Sequence, residues 1–470
     1  MTDMTRFESS HTGSFHGTEL TYRCIACETH LPGPDDKPRV SLFSFSYLAE
    51  TDDKAPRPVT FVFNGGPGSA SLWLHMGAIG PRIVKVPSDA TPTGPGPYKV
   101  IDNAHCNLDI TDLVFIDPPG TGFSTVLGET KYAEVWGLEQ DAEVIADFIK
   151  TWLTTHQRWA SPRYLCGESY GTTRAVTVAG KLAANLAGVA LNGIALISTI
   201  LDFHTARFER GNLLPDVCYL PTYAATAQYH GKAQTALPLE AFLDEVRDFA
   251  TNRYLPALFA GTRLDAATHA DIRDRLAAYT GLSPAWLDAT RLRIDPPRFR
   301  RELLRERGLS VGRLDSRYVG TDYDGAGEFP EDDPSGTAID SAFVSACNDH
   351  LARNLGIKGQ RAYQPFNREA LKTWSWTASK PDDGPTWPRY VNVTPILAKL
   401  LRDNPGLKVL VANGLYDMAT PFGAAESSLA GNGIPPGRIR MTYYAAGHMM
   451  YLHDPSLGAL VADLRALITS

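Results

Sequence analysis

The chain lacks any run of 18 or more apolar residues, so no segment reads as a transmembrane helix. It lacks a basic excess as well. Its 45 lysines and arginines stand against 52 aspartates and glutamates, a net charge of −7, which disfavours a nucleic-acid binder. Cysteine is scarce: six in 470 residues cannot form a disulfide scaffold. Cys24 and Cys27 form a C-x-x-C pair with His30 nearby, but a zinc site wants four ligands and no second pair follows at metal-site spacing. The pair reads instead as two thiols on a strand. The opening MTDMTRFESSHTG has no basic region followed by an apolar stretch, so the chain as written is expected in the cytoplasm. There is no internal repeat, no phosphate-binding loop and no G-x-G-x-x-G fingerprint, and no cofactor or metal is expected. Nothing in the sequence indicates an oligomeric state.

What is present is an ordinary globular composition, 43% hydrophobic and 21% charged, on a chain long enough to bury a large core. Residues 17–48 alternate in two runs around LPGPDDKPR and predict antiparallel strands. Then come short apolar runs bounded by Gly and Pro: PVTFVF, DLVFID, RYLCG, GIALIS, LKVLVANG and RIRMTYY. Helical patterns lie between several of them, from Leu138 through Leu153 and over 171–187. Strands alternating with helices predict an α/β fold with a mostly parallel sheet covered on both faces. Between 202 and 384 the alternation stops, and the chain turns helical and charged. The expected organisation is a core in two parts, 1–201 and 385–470, with 202–384 inserted over the sheet as a mainly helical cap. Nine arginines within 291–317 interleave with Asp295, Glu302, Glu306 and Asp315, which predicts a solvated, salt-bridged helix face.

Three segments carry chemistry. Gly167-Glu168-Ser169-Tyr170-Gly171 matches G-x-S-x-G between an apolar strand and a helix rich in small residues, the context of a nucleophile elbow. A serine hydroxyl needs a base, and the base needs an orienting carboxylate. Asp417 follows the strand LKVLVANG, and His448 follows RIRMTYY. Asp417 lies 248 residues after Ser169 and 31 before His448, which is the Ser, acid, His order of this arrangement. His453 and Asp454 are nearby competitors. Third, Asn64-Gly65-Gly66-Pro67-Gly68 follows PVTFVF and leaves bare N–H groups where a substrate oxygen would sit. The N–H groups of Gly66 and Tyr170 are the candidate oxyanion donors.

With these residues in view, the sequence resembles the serine carboxypeptidase family (peptidase family S10) of the α/β-hydrolases. NGGPGSAS, DPPGTGFS, GESYG, NGLYDMATP and AGHMMY carry the resemblance, in order, around an insertion. It implies an α/β-hydrolase fold and a catalytic triad of Ser169, Asp417 and His448. It also implies that Asn64, Gly65 and Glu168 bind the free C-terminal carboxylate of a peptide substrate. A carboxylate beside Glu168 is tolerated only if the two share a proton, which favours acidic pH.

The sequence departs from the family in places. Ala78 stands where members often carry a supporting glutamate, which weakens the acidic expectation, and Thr420 stands where a cysteine is familiar. These changes suggest a divergent, bacterial-type member. The expected activity is release of the C-terminal amino acid through an acyl-enzyme on Ser169. The alternatives are an acyltransferase or esterase with the same triad, and a catalytically silent binding protein. An aminopeptidase is disfavoured by NGGPG in place of an H-G-G-type loop.

Overall fold

The apolar runs become the strands of one ten-stranded sheet. The computed structural model describes residues 5–33, 36–51, 55–184, 188–359, 361–377 and 390–469. The strands are β1 (Arg6–Phe15), β2 (Thr18–Pro32), β3 (Pro38–Ala49), β4 (Val59–Phe63), β5 (Asp112–Ile116), β6 (Thr125–Val126), β7 (Arg163–Glu168), β8 (Gly193–Ile197), β9 (Lys408–Gly414) and β10 (Ile439–Tyr444). Their spatial order is β1-β2-β3-β5-β4-β7-β8-β9-β10, with β6 paired to β3. The first three strands form an antiparallel meander that joins β5 antiparallel. From β5 to β10 every neighbouring pair is parallel.

Burial explains why these runs are continuously apolar. Val59, Phe61 and Phe63 of β4 enter one core while Val62 enters the other, and Ile194 and Leu196 face away from Ala195 and Ile197 in the same manner. A strand covered on both faces has no use for polar alternation. Helices α1 (Leu138–Thr155) and α2 (Tyr170–Ala183) cover one face with Thr394–Asp403. The helix Asp454–Thr469 covers the other. β1 escapes the sequence reading because it is a mainly polar edge strand whose faces alternate between exposed and partly buried until Phe15, its one buried residue. Its pairing with β2 follows from the hairpin, where His16 and Gly17 both have positive φ. Cys24 and Cys27, three apart on β2, point to opposite faces.

The segment 202–384 is not of one kind, and both its end at 384 and the resumption of the core at 385 lie outside the described residues. Helices α3 (Leu214–Tyr229), Leu239–Phe249 and Ala266–Thr280 build a third hydrophobic cluster of their own, which also takes in Tyr416, Met418 and Phe422. Ile339, Phe343 and Cys347 instead join one sheet core, and Ala370 and Trp374 join the other.

The arginine-rich stretch is salt-bridged, as its charge pattern predicts, but only part of it is the solvated helix face expected. Arg300, Arg301, Arg317 and Asp315 are buried. Arg301 pairs with Asp322 at 2.9 Å, Arg298 with Glu328, and Arg317 with Asp315 at 2.6 Å. The acidic 322–333 loop folds back on the basic stretch, burying the Arg301–Asp322 pair and leaving Arg298–Glu328 at the surface.

Candidate active site

β7 runs into Ser169, whose φ of 61° and ψ of −130° place a non-glycine residue in a sparsely populated region, and α2 begins at Tyr170. That is the strained turn of a nucleophile elbow. The small residues around it are required by space. A Cβ on Gly167 would lie 2.1 Å from the Gly171 carbonyl oxygen, and one on Gly171 would lie 2.9 Å from the carbonyl oxygen of Phe63. Tyr170 is in the first turn of α2, where N–H groups lack intrahelical acceptors. Gly65 is pressed against this turn, since a Cβ there would sit 2.5 Å from the Tyr170 nitrogen. NGGPG and the helix start therefore meet, bringing Gly66 and Tyr170 to one place.

Asp417 follows β9 and His448 follows β10, each in a loop at the carboxyl end of its strand. His448 Nδ1 lies 2.7 Å from Asp417 Oδ2. Both residues are buried. Burial opposes a charged imidazole, but the Asp417 carboxylate and its hydrogen bond, with Glu168 nearby, outweigh that and raise the His448 pKa above 6.5. Asp417 is itself held: its Oδ1 accepts the N–H groups of Ala419 at 2.7 Å and Thr420 at 3.0 Å, and its Oδ2 accepts the Thr420 hydroxyl at 2.7 Å. The role of Thr420 was missed in the sequence, although an aspartate followed three residues later by threonine at a strand end is a signal for such a side-chain turn. His453 and Asp454 are engaged elsewhere, His453 with Ser456 at 2.8 Å and Asp454 with Lys85 at 2.7 Å.

Glu168 is 2% exposed. Its Oε2 accepts from Asn64 Nδ2 at 2.7 Å and from the Tyr451 hydroxyl at 3.0 Å. Burial pushes its pKa up to about 7, against the lowering influence of His448, Tyr451 and Asn64. Asn64 is oriented by the Leu74 N–H, which donates to its Oδ1 at 3.0 Å. Behind it, Arg174 donates to the Asn64 carbonyl and to Asp141 Oδ2, the latter at 2.6 Å, with no exposure of either charged side chain. Neither Arg174 nor Tyr451 stood out in the sequence. All eight residues singled out there are brought together: a cleft of about 750 Å³ is lined by Asn64, Gly65, Gly66, Glu168, Ser169 and His448, with Tyr170 among them. Asp417 sits behind His448. Arg207 and Arg313, from the chain between β8 and β9, also line the cleft.

Among the described residues no helix is long and apolar enough to cross a membrane, and no group of three or more His, Cys, Asp or Glu could hold a metal ion.

Sheet order and elbow together define an α/β-hydrolase. The family model described as serine carboxypeptidase matches residues 34–207. Among curated relatives, serine carboxypeptidase-like 5 of Arabidopsis thaliana is 28% identical over 30% of this chain and 32% of its own length. A carboxypeptidase Y homolog of Arthroderma benhamiae is 33% identical over 28% of this chain and 23% of its own. The chain is similar to the serine carboxypeptidase family over this segment, a match that contains Ser169 but ends before Asp417 and His448. It spans about a third or less of the length of these relatives. Among solved structures, proline iminopeptidase from Mycobacterium smegmatis is 15% identical, with 94% of this chain and 98% of that chain covered and a TM-score of 0.38.

Proposed function

We propose that the protein is a serine carboxypeptidase that releases the last amino acid from peptides with a free C-terminus. The observation that carries this reading is the buried Glu168, next in sequence to Ser169 and held by Asn64 and Tyr451 in the same cleft. A carboxyl group pushed up to about pH 7 holds its proton in the acid and neutral range and can give a hydrogen bond to a carboxylate. Hydrolysis of a simple ester has no use for that device.

Ser169 Oγ attacks the last peptide carbonyl carbon while His448 Nε2 takes its proton. Asp417 accepts the Nδ1–H and stabilises the imidazolium. The N–H groups of Gly66 and Tyr170 receive the oxyanion. His448 then protonates the leaving amine, and the free amino acid departs. Water repeats the sequence on the acyl-enzyme and restores Ser169. Throughout, Glu168, Asn64 and the Gly65 N–H bind the terminal carboxylate and set which bond is last.

The test is one blocked dipeptide in two forms, free acid and C-terminal amide, with Ser169→Ala as control. Cleavage of the acid alone, lost in the variant, is expected. Equal turnover of both forms would refute the reading. So would cleavage of neither beside Ser169-dependent turnover of a simple ester, which would point to the esterase or acyltransferase alternative.

A further inference from the structure

Tyr451 lies in the turn Met450–Leu452, just past His448, and its side chain is buried. Its hydroxyl reaches both oxygens of Glu168, at 3.2 Å and 3.0 Å. The ring fits because residue 77 is a glycine: a Cβ there would lie 2.6 Å from Tyr451 Cε2. The next residue is Ala78, where the family resemblance leads one to expect a glutamate. The glycine at 77 therefore makes room for the large residue at 451, whose hydroxyl lands on Glu168.

We propose that Tyr451 is a positioning residue for substrate recognition, its hydroxyl replacing a second carboxyl group as the partner of Glu168. The carboxylate-binding site then contains one titrating carboxyl instead of two. This inference rests on the carboxypeptidase reading and deepens it.

The chemistry of the two partners differs. Two carboxyl groups side by side must share a proton before a third, the substrate's, can approach, which ties binding to acidic pH. A phenol carries no charge here, since burial holds its titration well above 10. Its hydroxyl donates to Glu168 whether that carboxyl is ionised or neutral with its own proton turned to the substrate, so the partnership survives both states. Among the described residues, the remaining groups that interact with Glu168 are His448, Asp417, Asn64 and Cys166. Burial keeps the Cys166 thiol protonated, which leaves Asp417 as the like charge and His448 as a compensating one. Binding of a terminal carboxylate should therefore persist up to neutral pH, where Glu168 gives up its proton.

The experiment measures KM and kcat from about pH 5 to about pH 8 for a free-acid peptide and for an ester without a carboxylate, in the wild type and Tyr451→Phe. In the wild type, KM for the peptide should stay level in acid and climb only near pH 7. In Tyr451→Phe, kcat/KM for the peptide relative to the ester should fall about tenfold through KM, the worth of one such hydrogen bond. The climb in KM should move to higher pH, because ionised Glu168 has lost a donor. An unchanged ratio and profile in the variant would overturn the proposal, as would equal losses on both substrates, which mark a merely structural role. A wild-type KM that already climbs near pH 5 would overturn it even if the variant does not fold. Wild-type enzyme that does not distinguish acid from amide would sink the underlying reading, and is recognised without any position-451 variant.

Discussion

Asp315 accepts the backbone N–H of Gly447 at 3.1 Å, tying the segment between β8 and β9 to the loop one residue before His448. The contact is close enough that a Cβ on Gly447 would sit 2.3 Å from the Asp315 Cβ. The adjacent Leu314 carbonyl accepts the His448 N–H at 2.6 Å. The segment between β8 and β9 is thus part of the support of the candidate base.

Asp315→Ala should be costly because Arg317, 8% exposed, would be left without its carboxylate. Removing one partner of a buried pair typically costs about 3–5 kcal/mol. Chemical denaturation should show a loss of that size, and hydrogen exchange should speed up at Gly447 and His448. A loss under about 1 kcal/mol would mean that the pair is effectively solvated.

Thr420→Val keeps the shape of the side chain and removes its hydroxyl from Asp417. A hydrogen bond to a charged group is worth about 1.5–3 kcal/mol, so kcat should drop on the order of tenfold or more. KM should hold within about twofold, since Thr420 supports Asp417 rather than the substrate's carboxylate. An Asp417 with one donor fewer attracts the imidazolium more strongly, so the acid limb of kcat/KM should move to higher pH. Steady-state kinetics across pH checks both outcomes.

The two substrates should give differently shaped pH profiles. His448 serves as base only when neutral, and its pKa lies above 6.5. Ester turnover should therefore rise with pH through the raised titration of His448 and then level off. Peptide turnover needs in addition a protonated Glu168, whose proton leaves at about 7. The peptide profile should rise on the histidine limb and fall on the glutamate limb, turning down where the ester profile stays level. The two groups interact, so the apparent values belong to the pair. A peptide profile that stays level into alkaline pH would remove Glu168 from carboxylate binding.

Asp141→Ala exposes no surface and touches no substrate, yet it should be among the most damaging changes in the core. Arg174 would be left buried with the Asn64 carbonyl as its hydrogen-bond acceptor and the Phe63 and Tyr170 rings beside it. The expected loss is about 3–5 kcal/mol of unfolding free energy. Asp141→Asn, which keeps an acceptor for Nε, should lose less. KM for the peptide should rise in Asp141→Asn, because Arg174 anchors the segment that presents Asn64. Denaturation curves of the two variants decide the order.

The strands that build the parallel sheet were legible because each is buried on both faces, and short, continuous apolar runs between helical patterns are what such burial demands. Ser169, Asp417 and His448 were legible because the elbow demands small residues around the serine, and the acid and base follow strand ends in a fixed order. Asn64, Gly65 and Glu168 were legible only through the family resemblance. β1 was not legible, since an edge strand with polar side chains has no pattern apart from its partner. Neither was the burial of part of the arginine-rich stretch. All its charges read as solvated because the loop that pairs with Arg301, 322–333, contributes through a fold-back that spacing does not encode.

Sequence by itself determined the layered α/β architecture and the identity of the candidate reacting groups, because local periodicity and turn sterics leave their mark on neighbouring residues. Tertiary structure alone decided the supporting shell. Tyr451 meets Glu168 across 283 positions, Asp315 meets Gly447 across 132, and Arg174 meets Asn64 across 110. Such contacts depend on where strands and loops finally pack, and no short-range pattern announces them.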